Sequence, residues 1–349
     1  EDLRGKGNVM TREDLARYYA VGREPVMATY RGHTVYSGPP PVSGGAALVG
    51  KLNLLEQFRQ MKSQREDAAT VHSMIEAWKL APSTRGRIAD PGLWPVDLQP
   101  FTDKEWAKRR WQSCFDPQRS LSPGDTTCLN EDRVAAAWGV ENVLDARTST
   151  GTTAFVVADA AGNMAAVTQT LGTWGGNFYV TPGLGFIYND KLRSYSSNTK
   201  RYNARIPFAR NVTSIAPTLI FKGTGEKQQP YLAVGAAGNA WITSAVYQIV
   251  AGVIDRGLGP QQAIEQPRFL VGIRRDPKDR DRIREIVVQM EDGFAPGVLE
   301  QLQAKGHDLQ RISARGELRM GYAAAALIDG KQIRAGADPR RSGQAGAVK

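Results

Sequence analysis

Residues 152–170 read TTAFVVADAAGNMAAVTQT, and they predict a β-hairpin. Two runs of strand-forming residues flank Ala161-Gly162-Asn163, a combination that is typical of a turn. The hairpin would carry a hydroxyl residue, Thr152, at the start of its first strand and another, Thr170, at the end of its second. These two strands begin a dense series, which distinguishes this part of the chain from the helical part before it.

Upstream of the hairpin, helical patterns dominate. Apolar residues recur there at helical spacing, and Thr11 is a residue type that caps helices at their N-termini. The predicted elements are helices at 12–20, 46–58 and 68–80, a strand-turn-strand at 29–36, irregular loops at 39–45 and 82–102, and an exposed connector at 113–132.

From Thr152 onward, strand patterns follow in close order before helices return. The predicted strands are 153–158, 164–171, 177–180, 185–188, 217–221, 230–236, 285–290 and 322–328, and the predicted helices are 239–255, a shorter one from Pro260, and 297–305. This order favours sheets covered by helices, so the sequence predicts an α+β fold class. The Gly223-Thr224-Gly225 segment is interpreted as a hairpin turn because it lacks the spacing of a phosphate-binding loop.

The bulk composition narrows the class of protein. Of the 349 residues, 41% are hydrophobic and 23% are charged, which is typical of globular proteins, and no apolar run is long enough to span a bilayer. The first residues lack the apolar stretch of a signal peptide. The net charge is +10, but the densest charge run, 274–285, mixes both signs, and no nucleic-acid-binding motif accompanies it. We therefore predict neither a membrane span nor a nucleic-acid partner.

Cysteine and histidine are too sparse to indicate a metal site or a familiar catalytic triad. Cys114 and Cys128 fit no zinc pattern; they are compatible either with a disulfide that closes a short loop or with two unrelated buried thiols. His33, His72 and His307 are interpreted as surface or packing residues, since none accompanies a serine, cysteine or carboxylate cluster of recognisable spacing. The sequence therefore predicts no cofactor and no metal.

Threonines such as Thr152 and Thr170 are ordinary strand residues, but a threonine at an N-terminus has a chemistry of its own. If the Gly151–Thr152 bond were cut, Thr152 would carry both a hydroxyl nucleophile and an α-amine with a pKa of about 7.7–8.0, which could act as its base. Gly151 would ease this cut, because a residue without a Cβ tolerates the bent backbone that attack on its carbonyl requires.

A series of segments between Thr11 and Gly343 resembles the γ-glutamyltransferase (γ-glutamyltranspeptidase) family, and they occur in the family's order. The segments are PPPVSGG at 39–45, TTAF at 152–155, DAAGN at 159–163, VTQTL at 167–171, SIAPT at 214–218, GAAGN at 235–239, QPRF at 266–269, EDGF at 291–294 and ADPRR at 337–341. The resemblance implies an N-terminal-nucleophile hydrolase with a four-layer αββα sandwich.

The same resemblance implies self-cleavage at Gly151–Thr152. The products would be residues 1–151, from the large-subunit region, and residues 152–349, the small catalytic subunit, and they would stay associated. The resemblance also implies a small γ-glutamyl or related amide as substrate and a periplasmic or extracellular location. The first third of the family's precursor, which includes an arginine that clamps the substrate's α-carboxylate, is absent from this sequence.

Site roles can be assigned by position from the resemblance. Thr152 matches the nucleophile, and Thr170 matches the second threonine that hydrogen-bonds it. Gly238 and Asn239 match a pair of glycines whose backbone N–H groups form the oxyanion hole, and such donors at a helix N-terminus are preorganised. The remaining match is Thr213 with Ser214, which correspond to a serine pair that binds the donor's α-carboxylate.

Three further positions, predicted to contact the substrate, depart from the family pattern. Gly172 stands where the family usually has Asn, Lys191 where it has Gln or Glu, and Ser194 where it has Asp. A lysine cannot accept a hydrogen bond from a substrate ammonium, and its charge repels one. We expect amide chemistry with altered donor specificity, in which Lys191 and Arg193 favour a donor with a carboxylate and no free amine. The alternatives are a related acylase acting on a non-glutamyl amide and a non-catalytic or incomplete homologue.

Overall fold

A computed structural model describes residues 1–59, 67–84, 86–129, 150–197, 202–276, 283–313 and 321–348. The helices are α1 (Asp2–Gly5), α2 (Arg12–Ala16), α3 (Gly44–Leu55), α4 (Ala68–Leu80), α5 (Gln99–Thr102), α6 (Lys104–Cys114), α7 (Thr126–Leu129), α8 (Trp241–Arg256), α9 (Pro260–Glu265) and α10 (Pro296–Ala304). The strands are β1 (Val26–Tyr30), β2 (His33–Ser37), β3 (Thr150–Ala158), β4 (Met164–Thr173), β5 (Thr218–Lys222), β6 (Gln229–Ala237), β7 (Phe269–Arg275), β8 (Ile283–Glu291), β9 (Leu309–Ile312), β10 (Tyr322–Asp329) and β11 (Gln332–Ala337). The fold class is therefore mixed α+β, as the sequence predicts.

One antiparallel sheet organises the structure, with strand order β1-β2-β5-β6-β10-β11. Strand β2 lies before the predicted cleavage point and pairs with β5, which lies after it, from Thr34 opposite Phe221 to Ser37 opposite Thr218. The predicted boundary between residues 151 and 152 therefore falls within a single folded unit. That boundary stays a prediction of where the chain is cut.

The sheet separates two layers. On one face, α3, α4 and α8 build the main core, and their buried residues Leu52, Ile75 and Ile249 join Ile220 and Val234 of the sheet in one cluster. On the other face lies the hairpin β3–β4. These layers place the start of β3 and the end of β4 over the sheet that leads into α8.

The hairpin packs against β6 at Gly235. A Cβ on Gly235 would lie 3.6 Å from Cβ of Ala154 and 3.6 Å from Oγ1 of Thr168, one from each strand of the hairpin. The other face of the hairpin carries Phe155 and Val157, which are 46% and 56% exposed. Apolar groups thus remain on its outer surface.

Most predicted elements are confirmed within a few residues, including α4, both strands of the hairpin, and α8 with its C-terminal stop at Gly257, which has a left-handed φ of 66°. The predicted helix at 12–20 ends at Ala16, and Thr11 caps it by accepting a hydrogen bond from the backbone N–H of Asp14. The Gly223 turn joins β5 to β6.

None of the helices in the described ranges combines the length and apolarity needed to cross a bilayer.

The predicted strands at 177–180 and 185–188 are wrong. These segments face each other as irregular chain, held by a hydrogen bond of 3.2 Å from the N–H of Tyr188 to the carbonyl of Tyr179. Their aromatic residues favour strands, but Phe178 has a left-handed φ of 57°, which breaks the extended chain, while Pro182 and Gly183 lie in the turn that joins the two segments.

The predicted exposed connector at 113–132 is confirmed only in part for residues 113–129, since residues 117–119 are exposed but others are not; residues 130–132 lie outside the described part. Residues up to Cys114 complete α6, and Ser120 and Leu121 are buried. The rings of Trp111 and Phe115 stack with centroids 4.0 Å apart, which draws this polar segment onto the core.

The two cysteines of the chain form a disulfide, Cys114–Cys128, so the first of the two alternatives left open by the sequence applies. Closing a loop of this size restricts the unfolded chain and is worth about 3 kcal/mol. We expect replacement of both cysteines by serine to lower the free energy of unfolding by about that amount, as measured by urea denaturation.

A reducing agent provides the control for this prediction. It should lower the stability of the wild-type protein and leave the double serine variant unchanged. Equal unfolding midpoints for the oxidised wild type and the variant would contradict the assigned role of the disulfide.

Candidate active site

The open end of the hairpin brings Thr152 and Thr170 together. They are direct partners in the register of β3 and β4, and Oγ1 of Thr152 donates a hydrogen bond of 3.0 Å to Oγ1 of Thr170. Thr152 is only 6% exposed. The hydroxyl of Thr152 is therefore fixed in direction and largely shielded from water.

The backbone is irregular just before Thr152. The register of the hairpin shifts between Thr150 and Thr152, where Gly151 of β3 lies opposite two residues of β4, Leu171 and Gly172, so β4 carries a bulge opposite Gly151. A Cβ on Gly151 would overlap with the carbonyl of Thr173 across the hairpin. Glycine is thus required at this position by close backbone approach, which is a stronger constraint than the flexibility that the sequence alone indicates.

Gly172 lies beside the threonine pair. Its φ of +107° is one that residues with a side chain rarely adopt, and a Cβ there would overlap with Oδ1 of Asp190. Its N–H donates a hydrogen bond of 3.0 Å to Oγ1 of Thr170. The carboxylate of Asp190 therefore fills the space that a side chain at position 172 would occupy.

Gly238 and Asn239 connect the end of β6 to the start of α8 at Trp241. Both have positive φ, +124° for Gly238 and 52° for Asn239. Among residues with a side chain, Asn is one of the few that accept the left-handed region, which explains how it can replace glycine at 239. Gly238 is buried and Asn239 is exposed. The two backbone N–H groups thus lie in a tight turn at a helix N-terminus.

Ser214 lies against this turn, because its Oγ donates a hydrogen bond of 3.2 Å to the carbonyl of Asn239. The neighbouring Thr213 is held from the other side by Ser43, whose N–H and hydroxyl donate to the carbonyl of Thr213 at 2.7 and 3.1 Å. The PPPVSGG segment at 39–45 therefore supports the strand-like stretch that carries Thr213 and Ser214.

Lys191 and Ser194 bound a short 3-10 turn that follows Asp190. The N–H of Lys191 is bonded to Oδ1 of Asn189 at 2.9 Å, and the carbonyl of Ser194 accepts from Asn203 at 2.7 Å. Ser194 is exposed and Lys191 is half-buried. These hydrogen bonds fix the backbone of the turn that follows Asp190. The side chain of Arg193 lies outside the described part of the structure.

The structure thus brings the predicted site residues into two groups. Thr152, Thr170 and Gly172 meet at the open end of the hairpin, with Lys191 close by in the chain. Ser214 and Asn239 meet at the start of α8, beside Gly238 and Thr213. The hairpin crosses β6 at Gly235, near the turn at Gly238.

Three of the family-like segments converge in a buried ionic network. Arg268 donates to Asp338 at 2.7 Å, and Arg340 donates to Asp338 at 3.1 Å and to Glu291 at 2.7 Å. All four side chains are at most 7% exposed. The segments QPRF, EDGF and ADPRR therefore have a structural role, tying together the ends of β7, β8 and β11.

A second buried cluster could in principle hold a metal. Ligand atoms of His72, Glu76 and His307 lie within 4.8 Å of one another. However, Lys79 occupies the cluster as its cation: its Nζ donates to Glu76 at 2.8 Å and lies 3.5 Å from Nδ1 of His307. Burial lowers the pKa of His72 to about 4, so the ring is neutral and hydrogen-bonds to His307. We interpret the cluster as core packing, although the sequence analysis did not anticipate that Glu76 accompanies the two histidines.

Sequence reasoning did not single out Asp190. Its partner Thr173 is distant in sequence, and a carboxylate in a polar segment is common on protein surfaces. The one usable signal was the glycine at 172, because a missing side chain leaves room for a neighbour. That signal indicates a gap and does not identify the residue that fills it.

Comparison with known proteins places the chain in a family. The gamma-glutamyltranspeptidase family model matches residues 1–348. Over 327 residues the chain is 31% identical to the glutathione hydrolase proenzyme of Escherichia coli (strain K12), a match that covers 90% of this chain and 52% of that protein. It is 28% identical over 310 residues to the acylase ACY 1 proenzyme of Pseudomonas sp. (strain SE83), covering 88% and 50%.

The fold has a solved counterpart. The crystal structure of cephalosporin acylase from Bacillus halodurans superimposes with a TM-score of 0.77 at 24% identity, covering 99% of this chain and 57% of that one. The chain spans about half the length of the curated relatives it matches. By its sequence match from end to end, the chain belongs to the gamma-glutamyltranspeptidase family.

Proposed function

We propose that this chain is an amide hydrolase or acyltransferase that cuts its own Gly151–Thr152 bond and then uses Thr152 as its nucleophile. The observation that carries the proposal is the partly buried hydrogen bond from Thr152 to Thr170, next to the bulge that lies opposite Gly151. The proposed cut begins when Oγ1 of Thr152 attacks the carbonyl carbon of Gly151. The acyl group moves from nitrogen to oxygen and the hydroxyl proton passes to the nitrogen, which frees the α-amine of Thr152. Water then hydrolyses the ester, which releases the Gly151 carboxylate and restores the Thr152 hydroxyl.

Turnover would use the two groups created by this cut. The α-amine takes the proton of the Thr152 hydroxyl, since an amine with a pKa of about 7.7–8.0 is partly unprotonated near neutral pH. The oxygen attacks the substrate amide, and the N–H groups of Gly238 and Asn239 stabilise the oxyanion. The amine product leaves with the proton, and water or another amine then takes the acyl group from Thr152.

Donor recognition is proposed to differ from γ-glutamyl recognition. Thr213 and Ser214 would donate from their hydroxyls to a carboxylate, for which the Ser214 hydroxyl turns from the Asn239 carbonyl to the substrate. Lys191 adds a positive charge where a γ-glutamyl donor would place its ammonium, and Ser194 lacks the negative charge that would attract it. We therefore propose a donor acyl group that has a carboxylate and no α-amine. An acylase stands among the relatives, which is compatible with a donor other than a γ-glutamyl compound.

Two chromogenic amides test this choice directly. Glutaryl-p-nitroanilide and γ-glutamyl-p-nitroanilide differ only in the α-amine. We expect the glutaryl amide to have the higher kcat/KM, and we expect Lys191→Gln to shift the ratio toward the γ-glutamyl amide, because it removes the repulsion. Faster turnover of the γ-glutamyl amide, or of glutathione, by the wild type would contradict the proposed donor.

The two products of the cut are proposed to remain one particle. Strands β1 and β2 come from residues 1–151, and β5, β6, β10 and β11 come from residues 152–349, yet they share one sheet. We also propose that the active particle has four αββα layers, with a further helical layer over the hairpin. The exposed Phe155 and Val157 on the hairpin's outer face support such a cover.

A periplasmic or extracellular location is proposed on the strength of the disulfide, since disulfides persist in oxidising compartments. A non-catalytic homologue is the alternative to the enzymatic proposal as a whole. Denaturing electrophoresis separates the two, because a protein that never cuts itself would run as a single band.

Gly151 gives a prediction of its own. Gly151→Ala should slow self-cleavage by about 100-fold, because the added Cβ pushes the scissile peptide away from the Thr173 carbonyl and so from the Thr152 hydroxyl. The measurement is a time course of the two bands on a denaturing gel. Gly297→Ala is the matched control, since a Cβ there meets nothing within 4 Å. Cleavage of Gly151→Ala at the wild-type rate would show that this contact is unimportant.

A further inference from the structure

Asp190 forms hydrogen bonds to the end of strand β4 with both its backbone and its side chain. Its N–H donates to the carbonyl of Leu171 at 2.9 Å. Its Oδ1 accepts a hydrogen bond of 3.0 Å from the N–H of Thr173, and its Oδ2 accepts one of 2.7 Å from the hydroxyl of Thr173. Hydrogen bonds to a carboxylate are stronger than those between neutral groups. The turn at 171–173 is therefore fixed by one residue.

On one side, this turn contacts Thr170, the hydrogen-bond partner of the candidate nucleophile Thr152. Gly172 lies under the Asp190 carboxylate and donates its N–H to Oγ1 of Thr170 at 3.0 Å. The same oxygen accepts the hydrogen bond from Thr152. The position of the Thr170 hydroxyl, and with it the direction of the Thr152 hydroxyl, thus depends on where Asp190 holds Gly172.

The turn also contacts the scissile bond from the other side. The carbonyl of Thr173 lies directly against Gly151, so closely that no Cβ fits between them. Thr173 is also the register partner of Thr150. Asp190 holds Thr173 by two hydrogen bonds, and it therefore sets the surface against which the Gly151 backbone rests.

We propose that Asp190 is a positioning residue for self-cleavage and turnover, which aligns the Thr152 hydroxyl with the Gly151 carbonyl and, after the cut, with the substrate amide. The inference rests on the proposed function of Thr152. Asp190 acts through Thr173, Gly172 and Thr170, so its loss should lower kcat and leave KM for the donor nearly unchanged.

The test compares Asp190→Ala with Asp190→Asn in the purified protein. We expect Asp190→Ala to slow self-cleavage, and kcat for glutaryl-p-nitroanilide, by about tenfold or more, since small misplacements of reacting groups have effects of this size. Asp190→Asn should recover most of the rate, because its amide can accept from the N–H of Thr173 and donate to its hydroxyl. Thr173→Val, which removes only the hydroxyl, should fall between the two.

Asp159→Ala is the matched control. Asp159 clamps the opposite end of the same hairpin, where it accepts hydrogen bonds of 2.9 Å from the N–H groups of Ala161 and Asn163. The Asp159→Ala variant should therefore leave the rate of self-cleavage and kcat unchanged. The inference is overturned if Asp190→Ala matches the wild type, if it raises KM alone, or if Asp159→Ala slows the reaction as much.

The failure of the inference can be told from the failure of the proposed function. A wild-type protein that neither cuts itself nor turns over either amide overturns both. If the wild-type protein cuts itself and turns over an amide, and Asp190→Ala does both at the same rates, only the role of Asp190 is overturned.

Discussion

Thr152→Ala is expected to leave the polypeptide in one piece and to lower its turnover on the order of 10⁴-fold or more, because the substitution removes the proposed nucleophile. The same oxygen would serve in both reactions, so the two losses should occur together. The rate of self-cleavage is followed by denaturing electrophoresis, and turnover is followed by release of p-nitroaniline from glutaryl-p-nitroanilide.

Two controls accompany this variant. Thr152→Ser keeps a hydroxyl and should retain measurable cleavage and turnover. Thr153→Ala makes the same chemical change one residue later, at an exposed position opposite Gln169, and should behave like the wild type. Turnover by Thr152→Ala at the wild-type rate would show that the nucleophile lies elsewhere.

Asp338→Asn is expected to have the largest effect on stability, lowering the free energy of unfolding by about 3–5 kcal/mol. The change leaves Arg268 buried without its partner carboxylate. Burial alone would raise the pKa of Asp338, but Arg268 and Arg340 outweigh it and hold the pKa below its ordinary value. The stabilisation by the carboxylate is therefore fully present above the pKa of an unfolded aspartate. It is lost as the pH falls through the lowered pKa of Asp338 in the folded protein. Urea denaturation at neutral and acidic pH measures both effects.

An exposed ion pair provides the comparison for Asp338→Asn. Asp329 and Arg334 lie 3.2 Å apart, and their side chains are 55% and 49% exposed. Asp329→Asn should cost less than about 1 kcal/mol, because solvent screens such pairs. Similar losses in the two variants would mean that the buried network contributes no more than a surface contact does.

The parts of the fold that could be predicted from the sequence are those specified locally. The hairpin β3–β4 has a strong turn signal at Gly162-Asn163, and α4 has an uninterrupted helical spacing between Asp67, its N-cap, and Ala81. A strand that forms by pairing with a strand far away in the sequence was not predicted. Strand β9 is a run of only four residues in which two are polar, and it forms because β8 pairs with it in parallel, from Val288 opposite Leu309 to Glu291 opposite Ile312.

The candidate site shows the same division. The threonine pair and the glycine before it could be predicted from order and residue type, together with the family resemblance. Asp190 could not, since its role arises from contacts with Thr173 and Gly172 that only the fold creates. The disulfide was left open for the same reason, because the spacing of two cysteines does not fix their distance in space.

The intact mass of the purified protein, before and after incubation, tests the central claim most directly. The account predicts two chains that divide between residues 151 and 152, with a new N-terminus that reads Thr-Thr-Ala-Phe and with both chains in one particle under native conditions. A single unchanged mass after prolonged incubation would contradict it.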